Sequence, residues 1–331
     1  MNHSRFPSLL QRFFTDRMLN QLGASPHTIS AYRDAFRLLL QFASERLKRS
    51  PSELRVEDLD APFLGQFLDH LEHNRRNGTR TRNNRLAALH AFFQYVAISE
   101  PALAFHCQRV LAIPTKRYER RTVEFLTDEE AAALAAAPDP NTWLGRRDQA
   151  FLLVALQTGL RNSEMTALRC RDVAFGTGAH VRCVGKGRKQ RCTPLHPQVA
   201  AVLQQWLSQQ EGAPDDPVFP SLHRQRLSAD AVQRLVSKYA AKAGRTCPSL
   251  QTKKVTPHTL RHAAAMALLR RGVDLSVIAL WLGHESIETT QIYLHADLQL
   301  KERALAHAST SGLVPHRFRP RDPLLVFLES L

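Results

Sequence analysis

Four stretches of this chain place reactive side chains at spacings that could do chemistry. The first is Thr158-Gly159-Leu160-Arg161-Asn162-Ser163-Glu164. A glycine closes one helix, Arg161 opens the next, and Glu164 follows one turn later on the same face. A guanidinium cannot lose its proton and can neutralise an oxyanion, although the same i,i+3 spacing also makes a surface pair worth about 0.2–0.5 kcal/mol. The second is Gly185-Lys186-Gly187-Arg188-Lys189-Gln190-Arg191, a basic hairpin turn. It is not a phosphate-binding P-loop, because His180 stands where the first glycine is needed and Gly187 where Ser or Thr is needed.

The third is His258-Thr259-Leu260-Arg261-His262. Its i,i+4 histidines match the spacing of zinc-protease helices, but Thr259 occupies the place of the general-base glutamate and no third ligand follows. No metal is expected. Pro257 reads as a first-turn residue, so His258 and Arg261 share one face while His262 points elsewhere as a packed histidine. The fourth is Leu282-Gly283-His284 followed by Tyr293. A tyrosine before an apolar residue is ordinarily core packing with a satisfied hydroxyl.

The surrounding pattern is mainly helical with a small antiparallel β-sheet. Apolar residues at helical spacing mark Leu9 to Met18, a helix from Ser25 or Thr28 to Leu40, a third over 61–72 and a fourth over 79–97. The opening of the fourth, 75–85, carries Arg75, Arg76, Arg80, Arg82 and Arg85 without an acid, which favours phosphate contact over a solvated face. Residues 1–112 therefore form a helical domain. Residues 113–123, with Lys116 and Arg117, form a basic extended linker. Thr127 to Glu130 opens the second domain, 124–311, as a capping box. A helix over 147–158 and short β-like runs over 171–195 follow, then helices near 197–210, 228–243, 257–271, 274–282 and 296–308. The tail, 312–331, joins a Pro- and Arg-rich connector to Leu324-Leu325-Val326-Phe327-Leu328; it could dock on a neighbouring subunit or on its own domain.

At 331 residues, two domains are expected. A hydrophobic fraction of 44% excludes a disordered chain. No apolar run is long enough for a membrane span, and the first residues lack a signal-peptide core, so a cytoplasmic, nucleoid-associated protein is expected. Five cysteines without a CxxC pair argue against a disulfide framework or zinc ribbon. The net charge of +15 points to a polyanionic partner.

In their order, Arg161, Lys186, His258-x-x-Arg261, His284 and Tyr293 resemble the motifs of the tyrosine recombinase (phage integrase-like) family, and the resemblance spans nearly the whole chain. It implies a helical, SAM-like core-binding domain ahead of a mixed α/β catalytic domain. It implies that Tyr293 is the nucleophile, forming a 3′-phosphotyrosine and releasing a 5′-hydroxyl, and that Arg161 and Arg261 hold the phosphate. Lys186 matches the general acid, His258 the residue that assists proton transfer at the tyrosine, and His284 a phosphate ligand; Glu164 orients its neighbours. The covalent ester conserves the energy of the broken bond, so no cofactor or ATP is needed. The implied partners are double-stranded DNA recombination sites, three further protomers in a homo- or hetero-tetramer around a four-way junction, and accessory DNA-bending proteins. Arg188, Lys189 and Arg191 join the 75–85 arginines and the linker as expected phosphate contacts. Rival readings are a type IB topoisomerase-like enzyme, a catalytically silent DNA-binding regulator and, remotely, a metalloprotease.

Overall fold

A computed structural model describes residues 6–118, 124–185, 189–210, 212–284, 286 and 288–296, with 288 and 294–296 in backbone only. The chain divides into two compact units, 1–120 and 121–331. Lys186, Arg188 and the 312–331 tail, all singled out above, lie outside the described residues.

The first unit is helical: α1 (Phe6–Arg12), widening into a π-helical segment Phe13–Gln21, then α2 (Pro26–Leu47), α3 (Ala61–His73), α4 (Thr79–Ser99) and α5 (Ala104–Leu111). Helix starts follow local chemistry. Ser25 Oγ accepts the Thr28 N–H ahead of Pro26, and Asp60 Oδ1 accepts the Phe63 N–H. The core is aromatic. Phe92 lies edge-on to Phe6, Phe13, Phe36 and Phe93 at centroid distances of 5.3–5.5 Å. Helix α5 adds a fifth helix within the helical domain expected over 1–112; Cys107 and Val110 bury its inner face.

The second unit contains α6 (Asp128–Ala136), α7 (Trp143–Thr158), α8 (Asn162–Ala167), strands β1 (Val173–Ala174), β2 (His180–Val184) and β3 (Gln190–Pro194), then α9 (Pro197–Ser208), α10 (Ala229–Ala243), α11 (Pro257–Arg270), α12 (Leu275–Leu282) and α13 (Glu288–Ala296). The sheet is antiparallel in the order β1-β2-β3, with Cys183 opposite Arg191 and Val184 opposite Gln190. Thr127 and Glu130 form the expected capping box, each side chain accepting the other's backbone N–H. Helix α13, not among the helices expected from the sequence, carries Tyr293 and packs on α11 and α12; the helix expected near 296–308 lies, from 297 on, outside the described residues. Two apolar clusters fill this unit. The smaller joins Ala265, Met266, Leu269, Ile278 and Leu282 to Tyr293. No helix among the described residues is long and apolar enough to cross a membrane.

Candidate active site

The site is organised around the C-terminal end of α12. Gly283 takes a left-handed conformation (φ 66°), which a glycine adopts without strain. The turn then closes on the helix: His284 N–H donates to Ala279 O at 2.9 Å and Gly283 N–H to Leu280 O at 3.1 Å. The next three carbonyls have no helical donor, and each receives one arginine. Trp281 O accepts Arg191 Nε at 3.1 Å, Leu282 O accepts Arg261 Nη2 at 2.8 Å, and Gly283 O accepts Arg161 Nη2 at 3.0 Å. The negative end of a helix dipole suits three cations. Leu-Gly-His in sequence is thus a helix stop that collects guanidiniums and delivers a histidine beside them.

Gly159 performs a matching function at the end of α7. Its φ of 61° ends the helix, and its carbonyl accepts Arg261 Nη1 at 2.6 Å. A Cβ there would stand 2.6 Å from Leu282 Cδ2 and 3.1 Å from Ala264 Cβ, so α11 and α12 close onto this position only because it is glycine. Arg261 is therefore buried, held from two helix ends, and still has N–H groups to offer. Burial and the Arg161 charge lower its pKa to about 10, which leaves it protonated at neutral pH.

Glu164, 3% exposed in its side chain, binds the arginines together. Its Oε1 accepts Arg161 Nη1 and Arg191 Nη1, both at 3.0 Å. Its Oε2 accepts the Arg161 backbone N–H at 2.7 Å and Arg191 Nη2 at 2.8 Å. Burial alone would raise this carboxyl, but the hydrogen bonds from Arg191 and the Arg161 backbone, with both guanidinium charges, hold it below the ordinary range. The expected role of Arg191 as a phosphate contact is corrected here: only 12% of its side chain is exposed, and its fork closes on Glu164 and the α12 end. Strand alternation places Arg191 only on one face of β3; what lies across from that face is a tertiary matter, invisible in the sequence. A Cβ on Gly185 or Gly283 would meet Arg191 Nη1 at 3.0 or 2.7 Å, so both glycines make room for it.

His284 Nδ1 pairs with the buried Thr290 hydroxyl at 2.8 Å. Burial and the charges of Arg261, Arg161 and Arg191 push its pKa down to about 4, so the ring is neutral at physiological pH. Tyr293 is 1% exposed, and its hydroxyl lies 3.0 Å from His262 Nδ1. Burial drives the phenol up to about 12, against the opposing pull of Arg261 and Arg161. His258 is exposed, and its ring stacks on His262 at 6.5 Å. The reading that His262 points away from His258 and Arg261 as mere packing is therefore overturned: i,i+4 spacing puts both histidines on one stripe of α11, and α13 brings Tyr293 onto it. The available signal is the second histidine of His-x-x-Arg-His, which spacing alone offers only to a metal or to the core.

The 75–85 arginines divide. Arg75, Arg76 and Arg80 are exposed, whereas Arg82 is buried with Nη1 on Pro114 O at 2.9 Å. Arg82 is thus corrected from phosphate contact to an anchor for residues 114–116, helped by Asn83, which pairs with both backbone groups of Lys116. Arg85 is half-buried beside Arg75, and burial lowers its pKa. Lys116, Arg117 and Lys189 are all exposed, and Lys116 also pairs with Glu72.

A helical unit is thus followed by a mixed α/β unit in which a tyrosine and two histidines adjoin clustered arginines, groups whose chemistry suits a phosphate. Residues 124–299 match the phage integrase family, and residues 10–100 match the phage integrase N-terminal SAM-like domain. The chain is 54% identical over 329 residues to a protein of Sinorhizobium fredii named as an integrase/recombinase, covering 99% of each. It is 31% identical over 313 residues to the tyrosine recombinase XerC of Chlamydia caviae, covering 88% of this chain and 95% of the relative. Its fold is similar to the XerH site-specific recombinase in a post-cleavage complex with a palindromic difH substrate (TM-score 0.70, 23% identity, 86% and 81% covered). The chain belongs to the phage integrase family of tyrosine recombinases. It is an enzyme of site-specific DNA recombination that cleaves and rejoins DNA strands.

Proposed function

We propose that this chain recombines a defined double-stranded DNA site with Tyr293 as nucleophile and with Arg161, Arg261 and His284 as the phosphate cradle. The observation that carries this reading is the meeting of both arginines at successive carbonyls of the α12 end, next to His284 and with both guanidinium charges acting on Tyr293. In the reaction the phenol gives up its proton as its oxygen bonds to phosphorus, the 5′ oxygen leaves with a proton supplied by Lys186, and a 5′-hydroxyl from another strand reverses the step, losing its own proton as the phenol regains one. His258 assists proton transfer at the tyrosine. The number of phosphoester bonds is conserved, so no ATP is consumed. Arg161 and Arg261 stabilise the pentacoordinate transition state, each worth about 3–4 kcal/mol by analogy with oxyanion-hole donors.

Arg75, Arg76, Arg80, Arg85, Arg117 and Lys189 are the proposed phosphate contacts that position the duplex, with Arg188 beside Lys189 in sequence. Four protomers, of this chain alone or with a relative, would assemble on two duplexes in the nucleoid, with the tail as a candidate intersubunit segment.

The test is to express wild type and Tyr293→Phe in cells, recover DNA that stays bound through denaturing detergent, and sequence it. Wild type should yield DNA stacked at one or a few paired sites, and Tyr293→Phe none. An adduct in Tyr293→Phe would remove Tyr293 from the chemistry, and wild-type attachment scattered over the genome would favour a topoisomerase-like activity.

A further inference from the structure

The nucleophile proposed above is enclosed. Tyr293 packs against Met266, Ile278 and Leu282, and a phenol in such surroundings needs a hydrogen-bond partner. Among the described residues that partner is His262, with Nδ1 3.0 Å from the hydroxyl and the two rings edge to face at 5.6 Å. Both sides of this pair are fixed. His262 stands on α11 one residue after Arg261, which is tied to Gly159 and Leu282. Tyr293 stands on α13, three residues after Thr290, which holds His284. The His262–Tyr293 bond between these two helices therefore places the phenol oxygen relative to the guanidinium cradle.

The direction of that bond follows from the charge states. Burial, His258 and Arg261 keep His262 neutral, with a pKa of about 4, while the phenol keeps its proton. Between a neutral imidazole and a phenol, the stronger arrangement has the O–H donating to an unprotonated ring nitrogen. The ring proton then sits on Nε2, and Nδ1 is the acceptor. A hydroxyl that donates along this line has its lone pairs turned away from His262 and free to meet phosphorus.

We propose that His262 is a positioning residue for the nucleophile: its Nδ1 accepts the Tyr293 hydroxyl proton in a hydrogen bond that aims the attacking oxygen. This inference rests on Tyr293 being the nucleophile. It adds to that reading a residue that acts through Tyr293 and sets the rate of attack.

Two measurements test it. On a nicked duplex built from the recovered target site, His262→Ala should form the covalent adduct at least 10-fold more slowly at saturating DNA, with duplex affinity within about 2-fold of wild type. His262→Asn, whose amide oxygen can stand near the place of Nδ1, should recover most of the rate. Wild-type cleavage by His262→Ala overturns the proposal; so does an Asn variant no faster than Ala, which would reduce His262 to packing. The second measurement needs no DNA. Ring-nitrogen NMR of 15N-histidine-labelled protein should show His262 protonated at Nε2, and its Nδ1 resonance should move in Tyr293→Phe. Protonation at Nδ1, or no response to Tyr293→Phe, also overturns it. If wild type binds its site without forming an adduct while the NMR result holds, the nucleophile reading has failed and the hydrogen bond has not.

Discussion

The two units treat arginine in opposite ways. In the first, the interior is built from the interlocked rings of Phe6, Phe13, Phe36, Phe92 and Phe93, and Arg82 is the one buried cation among its described residues. Arg75, Arg76 and Arg80 stay on the surface, where water screens them. In the second, Arg147, Arg261, Glu130, Asp148 and Glu164 are all buried, and Arg191 nearly so. Buried charges carry a desolvation penalty that surface charges escape, and only a complete set of hydrogen bonds offsets it. The catalytic unit supplies that set from helix-end carbonyls and Glu164. The consequence is a difference in mobility. A surface arginine is free to change rotamer, whereas an arginine held by Gly159 and Leu282 is fixed in advance, as the proposed phosphate cradle requires.

Mutation and pH both test this contrast. Phe92→Ala should cost the first unit about 4 kcal/mol through the burial removed and a residual cavity. Chemical denaturation followed by limited proteolysis would show whether the loss stays in residues 1–120. Arg191→Ala should cost the second unit about 3 kcal/mol, because it strips Glu164 of its bidentate partner. Calorimetry should place that unit's melting temperature roughly 6–12 °C lower; a loss no larger than for an exposed arginine would erase the contrast.

Acidification should weaken the second unit more than the first. His262 and His284 are held near 4 against an ordinary 6.5, so between those values the unfolded chain takes up protons that the folded unit refuses. Stability is therefore full above about pH 6.5 and declines toward pH 4. Glu164, held low, adds to the loss as the pH falls further through the carboxylate range. In the first unit, His90 shifts in the same direction. Urea titrations at stepped pH would separate the two units, and equal decline would sink the expectation. The smallest effect belongs to Arg75→Ala and Arg80→Ala. Stability should stay within about 0.5 kcal/mol. The slope of log affinity against log salt should become shallower by about 0.9 for each phosphate no longer neutralised, and an unchanged slope would take these residues off the DNA.

Local signals in the chain announce the capped helices, the hairpin and the order of the motif residues. Thr127 to Glu130, Ser25 before Pro26, Gly159 and Gly283 act within one or two turns, where backbone sterics and single hydrogen bonds decide. Arg161, Arg261, His284 and Tyr293 can be singled out because family motifs preserve residue type and order. The fate of individual charges cannot. Arg82 and Arg80 stand two residues apart on one helix, and which of them turns inward depends on where Pro114 lies. Arg191 and Lys189 flank the same strand end, and only the approach of α12 makes one a buried strut. His262 shows the same limit, since its i,i+4 spacing to His258 is visible in the chain but its partner comes from 31 residues away. The elements and the inventory of reactive groups are already written in the chain, because both follow from short-range rules. Which cations stay on the surface and which hold the site together was decided by the tertiary structure, because burial and partner choice exist only once distant segments have packed.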